Sequence, residues 1–199
     1  MIAGMVLAAG ASRRLGQPKQ LLPLGGRPLL SWSLAAMRAF APRQLVVVLG
    51  HEAPAIRAAL DLQGVTVVVN ERYAAGLSTS LQAGIAALDP AIEATLVSTG
   101  DQPLVSDELL RQIAAAHETT GQPLVATDYG DHLGVPLLLA RSAWPLVRAI
   151  EGDQGARALL RLHPEWVASV PVPDPSMALD VDTFEQYEQV CSVVEQRFQ

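Results

Sequence analysis

The chain has 199 residues, 50% of them hydrophobic and 17% charged, with a formal net charge of −6 at neutral pH. That length is enough for one domain with a real core, and that composition excludes a disordered chain. The acidic balance excludes a general nucleic-acid binder, yet all 20 acidic residues lie at Glu52 or beyond, after Arg13, Arg14, Lys19, Arg27, Arg38 and Arg43.

The first element is an apolar run at 2–8, read as a buried strand. It has no charged leader of the kind that opens a signal peptide. A loop over 9–27 follows. Pro28 is placed as the first residue of a helix over 28–40, with Leu30, Leu34 and Met37 on one face. Strands are expected at 44–49, 65–69, 94–99 and 123–127, each nearly continuous in apolar residues, as suits strands covered on both faces. Helices are expected at 53–61, 78–88 and 106–119. Ser106, followed by Asp107 and Glu108, gives the last of these an N-cap and an acidic first turn. Residues 128–141 and 151–182 are less regular and are candidates for the second wall of a cleft. Thr183 and Gln186 form a capping box. It opens a final helix with the apolar stripe Phe184, Tyr187, Cys191 and Val194.

Alternating strands and helices predict an α/β fold: a three-layer, Rossmann-like arrangement with a mostly parallel sheet and helices on both faces. In such sheets ligands bind beyond the carboxyl ends of the strands. The loops 9–27, 50–52, 70–78 and 100–105 are therefore the places to look. Cys191 is the only cysteine. It permits no intrachain disulfide or thiolate metal cluster, so a reducing cytoplasm is the expected location. No stretch reaches the ~18 charge-free apolar residues of a membrane span.

The stretch LAAGASRRLGQPKQLLPLGG, residues 7–26, follows the first strand. Its glycines let backbone N–H groups approach an anion, and Arg14 and Lys19 could neutralise a triphosphate. Neither the Walker A pattern nor G-x-G-x-x-G is present. Read from the residues alone, the stretch is either a phosphate loop or a glycine-rich turn with solvated arginines. Asp101, after the strand at 94–99, is either a metal ligand or the start of an Asx turn. Asp180 and Asp182 would share a face in a strand and repel unless a cation lies between them. Ser78 is either a helix N-cap or a ligand contact. Asn70 and Ser80 carry groups able to read a base edge. Asp153 and Arg157 are either contacts to a second substrate or an exposed i,i+4 pair.

Five segments resemble, in order, the molybdenum cofactor cytidylyltransferase branch of the MobA-like NTP transferase family. They are LAAGASRRLGQPKQLLPLGGRPLL from residue 7, NERYAAGLSTSLQAGI at 70–85, STGDQPLV at 98–105, GDQGARALL at 152–160 and LDVDTFEQYEQV at 179–190. The resemblance implies one NTP-transferase domain over 1–199, with a nucleotide part at about 1–105 and an acceptor part at about 106–199. It implies a nucleotide site at Leu7, Ala8, Ala9, Gly10, Ser12, Arg13, Asn70, Gly76, Ser78 and Ser80. It makes Arg14, Lys19 and Asp101 catalytic. Mg2+ would sit on Asp101 and Asp182, with Asp180 a weaker ligand, and the acceptor would lie near Asp153 and Arg157. The implied reaction transfers CMP from CTP to the molybdenum-molybdopterin cofactor and releases pyrophosphate. A recipient molybdoenzyme or its chaperone is an implied partner; nucleic acid and membrane are not.

Three alternatives stand beside this reading: a GTP-using guanylyltransferase, a transferase acting on another phosphorylated acceptor, and a non-catalytic cofactor carrier. Ala9, where the guanylyl branch has glycine, favours the smaller pyrimidine. The chain reads GVPLLL at 134–139 where many cytidylyltransferase relatives have G-H-P-x-L-F. Val135 cannot make a histidine's hydrogen bonds.

Overall fold

A computed structural model describes residues 1–197. Phe198 and Gln199, the end of the expected single domain, lie outside the described residues. Strand β1 (Ile2–Ala8) leads through a two-stranded hairpin, β2 (Pro23–Leu24) and β3 (Arg27–Pro28), into helix α1 (Leu29–Phe40). Then come β4 (Leu45–Leu49), α2 (Ala53–Ala59), β5 (Thr66–Val69), α3 (Leu77–Ala86), β6 (Ala94–Thr99) and α4 (Asp107–Thr120). The second half holds β7 (Leu124–Asp128), β8 (Leu133–Ala140), α5 (Trp144–Val147), α6 (Arg157–Leu162), β9 (Val167–Pro171) and α7 (Phe184–Arg197).

Seven strands form one sheet in the order β5-β4-β1-β6-β8-β7-β9. Only β8 runs antiparallel to its neighbours; β1 pairs in parallel with both β4 and β6. Successive residues of a strand point to opposite faces, so β1 feeds two cores. Val6 and Ala8 pack with Leu30, Leu34 and Met37 of α1 on one side. Ala3, Met5 and Leu7 pack with Leu81 of α3 and Leu159 of α6 on the other. Helices on both faces complete the three layers of an α/β nucleotidyltransferase fold.

The main departure from the expected elements lies in the second half. Residues 128–141 are not irregular: β8 is a central strand inserted between β6 and β7. Gly134 and Pro136 hide it, since both argue against a central strand. The pairing register shifts between Ala126 and Thr127, and this irregularity takes in Val135 and Pro136. Within 151–182, α6 and β9 are likewise regular. Pro28 is the N-cap of α1 rather than its first residue. Ser106 caps α4 by accepting from the Leu109 N–H. In α7 the Thr183–Gln186 capping box closes reciprocally, at 3.0 and 3.3 Å. Phe184 leaves the expected stripe and is 52% exposed, because its first-turn position overhangs the end of the core that buries Val190 and Val194. Among the described residues, no helix is long and apolar enough to cross a membrane.

Candidate active site

β1 is the strand at which the chain order reverses: β4 lies on one side of it and β6 on the other. The loops leaving such a pair diverge and open a crevice. A cavity of about 390 Å³ occupies it. Its floor is Leu7, Ala8, Ala9 and Gly10 at the end of β1, with Gly100 and Asp101 after β6. The far wall is Gly76, Leu77 and Ser80 at the start of α3. Gly76 has φ +111°, and a Cβ there would lie 2.1 Å from the Gly152 carbonyl carbon. Only glycine lets the 150–155 loop close against α3, and that loop carries Asp153 into the cavity.

Lys19 sits on a short 3-10 turn, Lys19–Leu21. Its ammonium donates to Asp101 Oδ2 and to Asp182 Oδ1, each at 2.7 Å. The second contact joins residues 163 positions apart. Arg14 donates to the other oxygen of Asp182 at 2.6 Å. Burial alone would push the Lys19 ammonium down, but the charge of Asp101 and hydrogen bonds to both carboxylates outweigh it and hold its pKa above the ordinary value. For Asp182, burial is outweighed by Lys19 and Arg14, and its pKa is lowered. Asp180 goes the other way: burial raises it first, and the charges of Asp101 and Asp182 add to that.

Lys19 is also the only lysine in the sequence; the other 13 fixed cations are arginines. An ammonium is a compact point charge that can sit between two carboxylates, whereas a planar guanidinium demands room. That singular usage was a readable signal of the site.

The expected residues divide. Leu7, Ala8, Ala9, Gly10, Arg13, Lys19, Gly76, Ser80, Asp101 and Asp153 line the cavity. Arg14 does not; Arg13 is the arginine on the wall, and it has no ion pair among the described residues. Ser12 lies behind the loop, where its Oγ accepts the Lys19 N–H at 3.1 Å. Asn70 is 6% exposed and fully committed. Its amide donates to Thr79 Oγ1 and Ser80 Oγ while its oxygen accepts the Arg72 N–H, so it braces the α3 wall instead of facing a base. Ser78 is not the N-cap, a position held by Gly76, and it lines a different cavity behind α3. Asp153 and Arg157 form no pair. Arg157 turns to His132 Nε2 at 3.2 Å and lies against Gly134, where a Cβ would meet its guanidinium at 2.8 Å. Asp180 and Asp182 lie outside any strand, and the cations beside Asp182 are Lys19 and Arg14.

Gln20 was missed. It is 2% exposed and lines the cavity floor. Its amide donates to the carbonyls of Ala8 at 2.8 Å and Gly10 at 3.1 Å. Lys19 thus grips the carboxylates while its neighbour grips the backbone at the end of β1.

Among the described residues, no group of three or more His, Cys, Asp or Glu side chains is placed to hold a metal ion. The donor set still fits a hard divalent cation. Asp101 and Asp182 converge on the Lys19 ammonium, are 22% and 30% exposed, and present further carboxylate oxygens. Asp180 beside them is raised first by burial, with the charges of Asp101 and Asp182 adding to it. Mg2+ commonly takes one or two carboxylates and completes its shell with phosphate oxygens and water.

A crevice at the switch strand, a glycine-bearing loop at its floor and a lysine clasped by two carboxylates define a nucleotide-handling α/β protein of the nucleotidyltransferase class. The model of the MobA-like NTP transferase domain matches residues 4–168, and the chain belongs to that family. It is 35% identical over 197 residues to nicotine blue oxidoreductase of Paenarthrobacter nicotinovorans, an alignment covering 93% of this chain and 94% of that protein. A nucleotidyl transferase from Methanothermobacter thermautotroptrophicus superposes with a TM-score of 0.84 at 26% identity, covering 99% of both chains. Rv0371c of Mycobacterium tuberculosis H37Rv, in complex with manganese, superposes with a TM-score of 0.82 at 33% identity, covering 96% of this chain and 98% of that one. The chain is a nucleotidyltransferase of the MobA-like family, which is coarser than the branch its motifs resemble.

Proposed function

We propose that this protein is a divalent-metal-dependent cytidylyltransferase, moving CMP from CTP onto the phosphate of a molybdopterin-type cofactor. The observation that carries the reading is the Lys19 clasp on Asp101 and Asp182 at the mouth of the β1 cavity. In the reaction an oxygen of the acceptor phosphate attacks the α-phosphorus, and the bond to the β-phosphate oxygen breaks to release pyrophosphate. A phosphate monoester has a second pKa of about 6, so the acceptor is already ionised and no general base is required. Arg13 and Lys19 supply fixed positive charge to the triphosphate, and the backbone of Ala8 to Gly10, held by Gln20, forms its bed. Mg2+ held by Asp101 and Asp182 would supply charge neutralisation at phosphate oxygens. The nucleotide contacts come mainly from residues 1–105. Asp153 and Asp182 bring the acceptor half to the same place.

Ala9, 5% exposed on the cavity floor, adds a methyl that narrows the slot and supports CTP over GTP. The relative named for nicotine blue reduction supports a second reading, reduction of a ligand in the same cavity. One set of assays separates them. Pyrophosphate release is measured with each of the four NTPs and purified molybdopterin cofactor, with and without Mg2+, beside consumption of reduced nicotinamide cofactors. The proposal expects metal-dependent release with CTP. Release with GTP only, nucleotide binding without turnover, or turnover of a nicotinamide cofactor alone would each overturn it.

A further inference from the structure

We infer that a second cavity, on the opposite side of the α3 amino terminus from the nucleotide site, binds a small phosphate-type oxyanion. This cavity measures about 420 Å³ and is lined by Arg72, Ser78, Thr79, Arg148, Glu151 and Gly152 among others. Four observations converge on it. Arg72 and Arg148 both face it, and neither guanidinium makes an ion pair or hydrogen bond among the described residues. Ser78 is 1% exposed on its wall, and its hydroxyl has no hydrogen-bond partner among the described residues. The neighbouring Thr79 hydroxyl is already committed to the Arg72 and Gly76 carbonyls, so Ser78 is the free donor. The ten-residue α3 directs its positive dipole end at the same region.

The Ser78 hydroxyl opens onto the cavity instead of being sealed in the core, so a ligand or water there can complete it. Two guanidinia on the same cavity lining favour an oxyanion, because their planar donors match phosphate oxygens. Glu151 is the one acid on the wall and leaves the cavity net positive, inside a protein whose net charge is −6. The site is distinct from the nucleotide cavity: Arg72, Ser78, Thr79 and Arg148 belong to the second lining only. The two touch through one loop. Gly152 accepts the Ser78 N–H at 3.1 Å and lines the second cavity, while Asp153 lines the first.

The test titrates inorganic phosphate into 15N-labelled protein and follows individual amides. Saturable shifts of Ser78, Thr79, Gln82 and Gly152 are expected, with affinity at least tenfold weaker in Arg148→Glu and retained in Arg148→Lys. Arg148 is exposed, so both variants are expected to keep the wild-type spectrum elsewhere. AMP serves as a second titrant; shifts of the same four amides with AMP but not with phosphate would overturn a free-oxyanion site. So would shifts confined to Ala8–Arg14, shifts unaltered by Arg148→Glu, or no saturable shift.

Discussion

At the residue scale, neighbours in sequence take different work. Lys19 and Gln20 are adjacent, yet one holds carboxylates and the other holds the carbonyls of Ala8 and Gly10. Arg27 stacks over the Trp32 ring at 3.9 Å, on the hairpin and away from the cavity. Lys19→Ala should therefore lower kcat/KM for nucleotide by about 10²–10³, the range for removing one preorganised charge-stabilising group. Arg27→Ala should leave kcat/KM within threefold and cost only the ~0.5–1 kcal/mol of an exposed cation–π contact. Steady-state kinetics on both variants check this; equal losses would mean that the amino-terminal cations act only as a diffuse field. Ala9→Gly should shift the CTP:GTP preference toward GTP by roughly ten- to two-hundredfold, the worth of one methyl-sized contact. The ratio of kcat/KM values measures it, and an unchanged ratio would place base selection on the α3 wall.

At the scale of elements, the start of α3 is the hinge between the two cavities. Its amino terminus is closed by the Gly152 carbonyl rather than by a side-chain cap. Gly76→Ala forces a side chain into φ +111° and into the 150–155 loop. Backbone strain of about 1–3 kcal/mol is expected, together with displacement of Asp153 from the nucleotide cavity. Thermal unfolding should show a lower Tm, and nucleotide KM should rise at least tenfold. A variant with wild-type KM would show that this loop is no part of the nucleotide wall. Toward the other edge of the sheet lie β7 and β8. Tyr129 stacks on His132, with ring centroids 5.2 Å apart, and His132 meets Arg157. Val135 brings no imidazole to this region, and the imidazole present comes from His132, three residues earlier.

At the scale of the whole molecule, the site ties the two ends of the chain together, and pH should reveal the tie. The raised Lys19 pKa means that its contribution to stability is full below the ordinary value of 10.5 and is lost as pH rises through the folded value above it. The lowered Asp182 pKa gives the opposite limb: its contribution is full above 3.8 and is lost as pH falls through the folded value beneath it. Both groups are partly exposed, so screening reduces the size of each effect. Because Lys19 is the only lysine, 13C,15N-lysine labelling gives one side-chain Cε–Nζ signal without altering the ammonium, and its titration midpoint is expected above 10.5. A midpoint below it would mean that burial, not the carboxylate clasp, governs Lys19. The Tm of Lys19→Met should lack the alkaline limb that begins above pH 10.5 in the wild type.

What the sequence determined by itself was whatever depends on neighbours in the chain. The apolar runs of β1, β4 and β6 reflect burial on both strand faces, and the Ser106 cap and the Thr183–Gln186 box rest on i,i+3 hydrogen bonds; such patterns are local. The loop after β1 stood out because glycine and fixed charge gather there, and residues of that loop line the cavity. What only the tertiary structure decided was whatever depends on the order of strands. β8 stayed hidden because Gly134 and Pro136 weaken its local signal, while its pairing with β6 and β7 supplies the stability. That Lys19 meets Asp182 across 163 residues follows from where α7 packs, not from spacing. Arg13 faces the cavity and Arg14 reaches Asp182, in a loop whose backbone turns just before them at Ser12, φ +51°. Asn70 carries groups able to read a base edge, and only the tertiary structure shows them engaged by Thr79, Ser80 and the Arg72 N–H.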